Sequence, residues 1–257
     1  VFKLENGKMS NATARFGLEK TGGFWRSVTS GDFDGDGDID LVCGNYGLNS
    51  RLRVAENGPI EIYAKDFDGN GSIDPIMSCY QNGICWPLPL RDILLKQIPS
   101  LKKKYVRYEP YAKAKLTDVF DKKVLESAQK LEVDQLASIF FENKIGKFEA
   151  HILPNEAQFA PIFGWLKTDL DGDGDLDLVG VGNDFGPQVE TGRMDAGNGI
   201  VLLNDGKAHF SPKMGHQTGL WATQQARDIK TVKLANGKSL VLVANSDGAL
   251  QIFDFLK

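Results

Sequence analysis

The sequence predicts an all-β chain, a β-propeller of four-stranded blades with a helical insertion in its second unit. Three observations carry that prediction. Glycine is abundant, at 28 of 257 residues, and falls mostly in turns between short β-branched runs. An acidic segment punctuated by glycine recurs in frame three times, each copy leading into an apolar run and a turn. A polar hairpin signature recurs with it. Four strands per unit, each unit stacked on like neighbours, describe the blades of a propeller.

The clearest repeat pairs Asp32-Phe-Asp-Gly-Asp-Gly-Asp-Ile-Asp40 with Asp169-Leu-Asp-Gly-Asp-Gly-Asp-Leu-Asp177. A third copy, Asp66-Phe-Asp-Gly-Asn-Gly-Ser-Ile-Asp74, keeps the frame with Asn70 and Ser72 substituted. Apolar runs follow, from Leu41 to Gly47, Pro75 to Gly83 and Leu178 to Gly186. A fourth, degenerate unit begins at Trp221, which stands seven residues before Asp228 as Trp25 stands seven before Asp32. There Ala235-Asn-Gly-Lys238 replaces the acidic loop, so this unit keeps the strand-turn-strand pattern and loses the charge.

The hairpin signature occurs at Leu4-Glu-Asn-Gly-Lys8, Phe141-Glu-Asn-Lys-Ile-Gly-Lys147 and Leu203-Asn-Asp-Gly-Lys207. Each unit therefore reads as an inner strand, an acidic loop, a second strand and an outer hairpin. Residues 87–137 interrupt the second unit and read as helical. Leu90, Leu94, Ile98, Leu101 and Tyr105 follow a helical period broken by Pro99. A second helix is expected from Asp121 to about Gln135, with Val124, Leu125, Ala128 and Leu131 on one face and Asp121 as its N-cap. The insertion rides on one propeller spanning 1–257. Val1 to Met9 reads as an outer hairpin alone and Leu250 to Phe255 as a single strand, so these four visible units are expected to be a fragment of a larger ring.

Composition excludes several classes. Apolar residues at 42% and charged residues at 25% are ordinary globular values, which argues against disorder and fibres. No apolar run approaches the roughly 18 residues of a membrane span. The formal charge of −4 hides its distribution. Thirteen of the 34 acidic residues lie in the three repeats, and without them 30 basic would face 21 acidic residues, a balance of +9. Three cysteines are too few for a disulfide scaffold. Cys79 and Cys85 are near enough in sequence to bridge a hairpin in an oxidising compartment, and Cys43 reads as an apolar strand residue.

Carboxylates at alternate positions of a nine-residue loop repel one another unless a cation neutralises them. Glycine at positions 4 and 6 lets the backbone curl until the alternate side chains converge. Hard oxygen donors without sulfur or imidazole select Ca²⁺. The side-chain ligands are assigned as Asp32, Asp34, Asp36 and Asp40, with the carbonyl of Asp38. The second set is Asp66, Asp68, Asn70 and Asp74, with the carbonyl of Ser72. The third is Asp169, Asp171, Asp173 and Asp177, with the carbonyl of Asp175. An EF-hand is excluded: its position 12 requires a bidentate Glu, and Cys43, Met77 and Gly180 stand there.

These loops, the tryptophans before them (Trp25, Trp165) and the polar hairpins resemble the FG-GAP/VCBS repeat family, whose calcium loops also occur in integrin α-chain propellers. The resemblance covers nearly all of the chain outside the helical insertion. It implies a propeller, usually seven-bladed, outside the cytoplasm in bacterial surface or secreted proteins, with structural calcium.

The remaining signals are weaker. Lys102-Lys-Lys-Tyr-Val-Arg-Tyr-Glu-Pro-Tyr111 interleaves basic and aromatic residues, and from Arg91 to Lys130 the balance is 11 basic to 5 acidic. Tyrosines packed inward under solvated lysines explain it without a nucleic-acid or glycan platform. His151, His209 and His216 read as exposed outer positions, and the tryptophans as inter-blade packing. The long loop Asn183–Asp195 is the first place to seek a ligand. The reading is a non-enzymatic calcium-binding propeller for extracellular recognition or adhesion, its partner a protein or glycan and not nucleic acid. The alternative is a calcium-dependent polysaccharide lyase, for which Arg193 with Glu190 or Asp195 is the visible constellation.

Overall fold

A computed structural model describes residues 1–56, 58–189 and 191–254. Glu190 and Phe255 therefore lie outside the described residues. The chain is mostly β and divides into two compact units, one of 1–20, 24–52 and 136–257, the other of 21–23 and 53–135.

The first unit opens with a hairpin, β1 (Phe2–Glu5) and β2 (Lys8–Asn11), turned at Asn6 and Gly7 with positive φ. Strands β3 (Ser27–Gly31) and β4 (Asp40–Gly44) then flank the first acidic loop. The second unit interrupts here. It holds β5 (Ile60–Lys65), β6 (Asp74–Gln81), β7 (Ile84–Pro87) and, after a helical stretch, β8 (Gln129–Val133), in the sheet order β7-β6-β5-β8.

The helical stretch is shorter than the sequence predicts. It comprises α1 (Arg91–Gln97), a 3-10 turn (Pro99–Lys103), α2 (Tyr108–Ala112), α3 (Leu116–Val119) and α4 (Lys122–Glu126). The expected helix from Asp121 to Gln135 stops at Glu126, because β8 pairs with β5, Ile60 opposite Val133 and Ile62 opposite Leu131. One turn of helical spacing at Val124, Leu125 and Ala128 had extended the pattern onto Leu131, a half-exposed strand residue. Asp121 occupies the N-cap position but makes no side-chain cap.

Ile76 on β6, Leu94, Leu95, Ile98, Tyr105, Tyr111 and Phe120 form this unit's core. Tyr105 and Tyr111 meet edge to face at 5.4 Å, while Tyr108 stays exposed, so two of the three tyrosines pack inward under the lysines. On the same sheet Glu61 is buried and accepts hydrogen bonds from Tyr63 Oη at 3.0 Å and Lys130 Nζ at 3.1 Å. Burial, then the bond to Glu61, raises the Tyr63 phenol. Cys79 and Cys85 do not bridge: both are thiols, and the register opposes Cys79 to Trp86 and Cys85 to Tyr80, which sends the two to opposite faces. Burial pushes the Cys43 thiol up to about 12, as befits an inert strand filler.

The first unit resumes with β9 (Ile139–Asn143) and β10 (Phe148–Ile152), which complete the sheet begun by β3 and β4 in the order β10-β9-β4-β3. The hairpin at 141–147 thus belongs to the first acidic loop, not the second as its place in the chain implied. The helical stretch does interrupt the second sheet, between β7 and β8, and the whole of 53–135 in turn stands between β4 and β9 of the first. The next sheet runs β11 (Ile162–Thr168), β12 (Asp177–Gly182), β13 (Ile200–Leu203) and β14 (Ser211–Lys213) in chain order. After the short helix α5 (Gly215–Thr218), β15 (Ala226–Lys233), β16 (Ser239–Asn245) and β17 (Gln251–Phe253) form a three-stranded sheet.

Strand β11 packs beside both β3 and β15. Buried Val42, Phe140, Ile162, Trp165, Leu178 and Leu202 fill one core, and Val179, Val181, Val201, Ile229, Val241 and Val243 another. Every residue of β12 is buried, which explains its unbroken apolar run. The tryptophans differ in role: Trp165 is buried, Trp25 packs on Phe141 at 5.8 Å, and Trp221 is half exposed rather than packed between sheets.

Candidate metal centres

Each acidic loop joins the first and second strands of a sheet, at β3–β4, β5–β6 and β11–β12. The three share one ladder of Asx hydrogen bonds. The first-position carboxylate accepts from the N–H of position 4: Asp32 from Gly35 at 2.8 Å, Asp66 from Gly69 at 2.7 Å, Asp169 from Gly172 at 2.7 Å. Its second oxygen accepts from the glycine at position 6, Gly37, Gly71 or Gly174. Position 3 accepts from position 5 and position 5 from position 7, so Asp36 takes Asp38 N–H at 2.8 Å and Asn70 takes Ser72 N–H at 2.7 Å. In the third copy Asp173 takes Asp175 N–H at 3.0 Å. Both glycines need positive φ, from 76° at Gly35 to 100° at Gly174, which a side chain would strain.

The ninth position closes each loop. Asp40, Asp74 and Asp177 are buried and accept from the N–H of position 2, on Phe33, Phe67 and Leu170, at 3.0, 3.1 and 2.7 Å. Asp40 and Asp177 use their other oxygen on the outer hairpins, taking Asn143 N–H and Asn204 N–H, each at 2.8 Å. Both asparagines answer with their amides, Asn143 to Ile39 O and Asn204 to Leu176 O. Asn204 also donates to Phe33 O at 2.7 Å, linking the first loop to the neighbouring sheet. Sequence reasoning missed Asn143 and Asn204, although they are the asparagines of the repeated hairpin signature.

Carboxylate oxygens of Asp32, Asp34 and Asp36 lie within 4.8 Å of one another, as do those of Asp66, Asp68 and Asp74 and of Asp169, Asp171 and Asp177. The first loop therefore gathers positions 1, 3 and 5, and the other two gather 1, 3 and 9. Asp38, Ser72 and Asp175, expected to offer carbonyls, stand at position 7. All-oxygen donors on a loop already curled by its own amides fit a hard divalent cation.

Burial foremost, with neighbouring aspartate charge, raises the carboxyls of Asp40 and Asp177 above the usual aspartate range against the pull of their N–H donors. Burial likewise raises Asp34, with Asp40, Asp36 and a hydrogen bond to Glu142 adding to it. Asp66 moves the other way, lowered chiefly by the Gly71 N–H. A raised acid binds its proton more tightly folded than unfolded. Its contribution to stability is thus full below the ordinary aspartate value and is lost as pH rises through the raised one. In chelator, Asp40→Asn/Asp177→Asn should flatten the fall in melting temperature from about pH 4 upward. Equal pH slopes for variant and parent would contradict this assignment.

Arg193 pairs with Asp195 at 3.7 Å and stacks on Phe185 at 4.0 Å. The 183–195 loop is pinned by buried Asn183, whose amide reaches Gly197 O at 2.8 Å, and by Asp184 beside Arg227 at 3.6 Å and Arg26 at 4.0 Å. His209 pairs with Asp205 at 2.9 Å and His151 with Glu142 at 3.0 Å, both at exposed outer positions. Among the described residues no helix is long and apolar enough to cross a membrane.

Residues 24–60, which hold β3, the first acidic loop and β4, match the model of the FG-GAP repeat. No curated protein and no solved structure gives a match to the chain.

Proposed function

We propose that this chain is a calcium-stabilised β-propeller that serves extracellular recognition or adhesion and carries out no reaction of its own. The observation that carries the reading is the threefold repetition of one loop geometry, in which carboxylates converge on a point while their own backbone amides hold them there. The FG-GAP match over 24–60 supports the propeller and the location. Ca²⁺ would be held by Asp32, Asp34, Asp36 and Asp40, by Asp66, Asp68, Asn70 and Asp74, and by Asp169, Asp171, Asp173 and Asp177. The carbonyls of Asp38, Ser72 and Asp175 complete these sets. The cation neutralises like charge and fixes the loop; recognition falls to the surfaces the loops brace. Nothing in the arrangement of Arg193 and Asp195 favours a lyase.

Calorimetric titration of chelator-stripped protein should give about three Ca²⁺ per chain, with dissociation constants of about 10⁻⁴ to 10⁻³ M, as for other extracellular modules. Asp32→Ala, Asp66→Ala and Asp169→Ala should each remove one equivalent. A stoichiometry that ignores all three substitutions would rule the loops out as the binding sites.

A further inference from the structure

We propose that Glu142, Glu149 and His151 form a second kind of metal site, for a transition-metal ion of the zinc class, on the outer hairpin of the first sheet. The β9–β10 register sets Glu142 directly opposite Glu149 and His151 opposite Phe140. Strand alternation then puts Glu149 and His151 on one face with Glu142. One oxygen of each glutamate and one ring nitrogen of His151 lie within 4.8 Å of one another.

The donor set separates this cluster from the acidic loops. Two carboxylates and an imidazole suit zinc, copper or nickel, whereas the loops offer oxygen alone. Like charges set opposite one another across a strand pair are unfavourable unless a cation stands between them. Lys144 now pairs with one oxygen of Glu142, whose other oxygen meets His151 Nε2. The Lys144 side chain is about half exposed and can swing out, which leaves its position to a divalent ion.

The site is also concave. Glu142 and His151 line a groove of about 540 Å³ floored by Phe140, Leu153 and Phe210 and bounded by Lys207 and His209. His209 is oriented by Asp205, which engages Nδ1 and leaves Nε2 on the ring's other side. Three protein ligands beside an open groove leave a coordination position for water or an exchangeable ligand. Glu142 also shares a hydrogen bond with Asp34, so the cluster adjoins the first acidic loop and must be tested with that loop saturated.

The experiment uses the full chain, stripped with chelator, returned to millimolar Ca²⁺ and titrated with Zn²⁺ by calorimetry and with Co²⁺ by visible absorption. One equivalent of Zn²⁺ and the ligand-field bands of four-coordinate Co²⁺ are expected. His151→Ala and Glu149→Gln should each weaken binding at least tenfold, while Lys144→Ala should tighten it. These positions are at least half exposed or border the solvent, and unchanged circular dichroism certifies the fold. The proposal is overturned by absent Zn²⁺ binding, by binding that survives His151→Ala, by a Lys144→Ala variant that binds no tighter, or by displacement of Zn²⁺ by Ca²⁺ at one shared site. Loss of calcium binding at the loops with Zn²⁺ binding intact would sink the reading of the loops and leave this one standing.

Discussion

Replacing Phe33 by alanine is expected to destabilise the first unit by about 3–5 kcal/mol, the usual cost of emptying a buried phenylalanine site. Phe33 is 1% exposed and meets Phe140 and Phe210 edge to face at 6.1 and 6.0 Å. It is also the second residue of an acidic loop, and its N–H and carbonyl are held by Asp40 and Asn204. The substitution therefore loosens the loop and the core together. Denaturant unfolding of the parent and variant in calcium measures the loss, and calorimetry on the variant should show weakened binding at one loop only. Phe67 in the second unit is only partly buried and stacks on Phe120 at 4.6 Å, so Phe67→Ala should cost less. Equal losses at the two sites would mean that the linkage through Asn204 carries no stability.

Chelation is expected to have the next largest effect. At about 2 mM Ca²⁺, a site with a dissociation constant of about 10⁻⁴ to 10⁻³ M stabilises the folded state by roughly 0.6–1.8 kcal/mol. The first unit holds two acidic loops and the second holds one. Excess EDTA should therefore shift the first unit's unfolding roughly twice as far in free energy as the second's. Hydrogen exchange resolves the two, because backbone amides of residues 35–38 and 172–175 report the first unit and those of 69–72 the second. Uniform protection with and without chelator would show that the loops hold their shape without an ion.

The acidic loops were legible in the sequence because charge at odd positions and glycine at positions 4 and 6 constrain a short segment by themselves. What lay beyond reach depends on pairing between distant segments. Asp40 and Asp177 read as ligands, and their second task of gripping Asn143 and Asn204 appears only when each hairpin is matched to its sheet. That matching failed for 141–147, since chain order gives no sign that a whole unit stands between β4 and β9. Strand β8 was read as helix because Val124 and Leu125 are helical and Leu131 continues their spacing by coincidence over a single turn. Glu142 and His151 passed as hairpin residues, because only the cross-strand register sets them against Glu149.

The nesting of one unit inside the first sheet has a consequence for how the chain is made. Asn45 N–H bonds Ser138 Oγ across 93 positions, so the first sheet cannot close until the whole intervening unit has emerged. That unit brings its own ends together, however, by pairing Ile60 with Val133. Once it has folded, the free chain to be closed shrinks from those 93 positions to about a quarter of that, lowering the closure entropy cost by about 1.2 kcal/mol. The inner unit thus acts as a clasp whose completion sets the order of assembly. Strands β3 and β4, made before that unit, pair with each other, but β4 must wait with its other edge open until the clasp shuts and delivers β9.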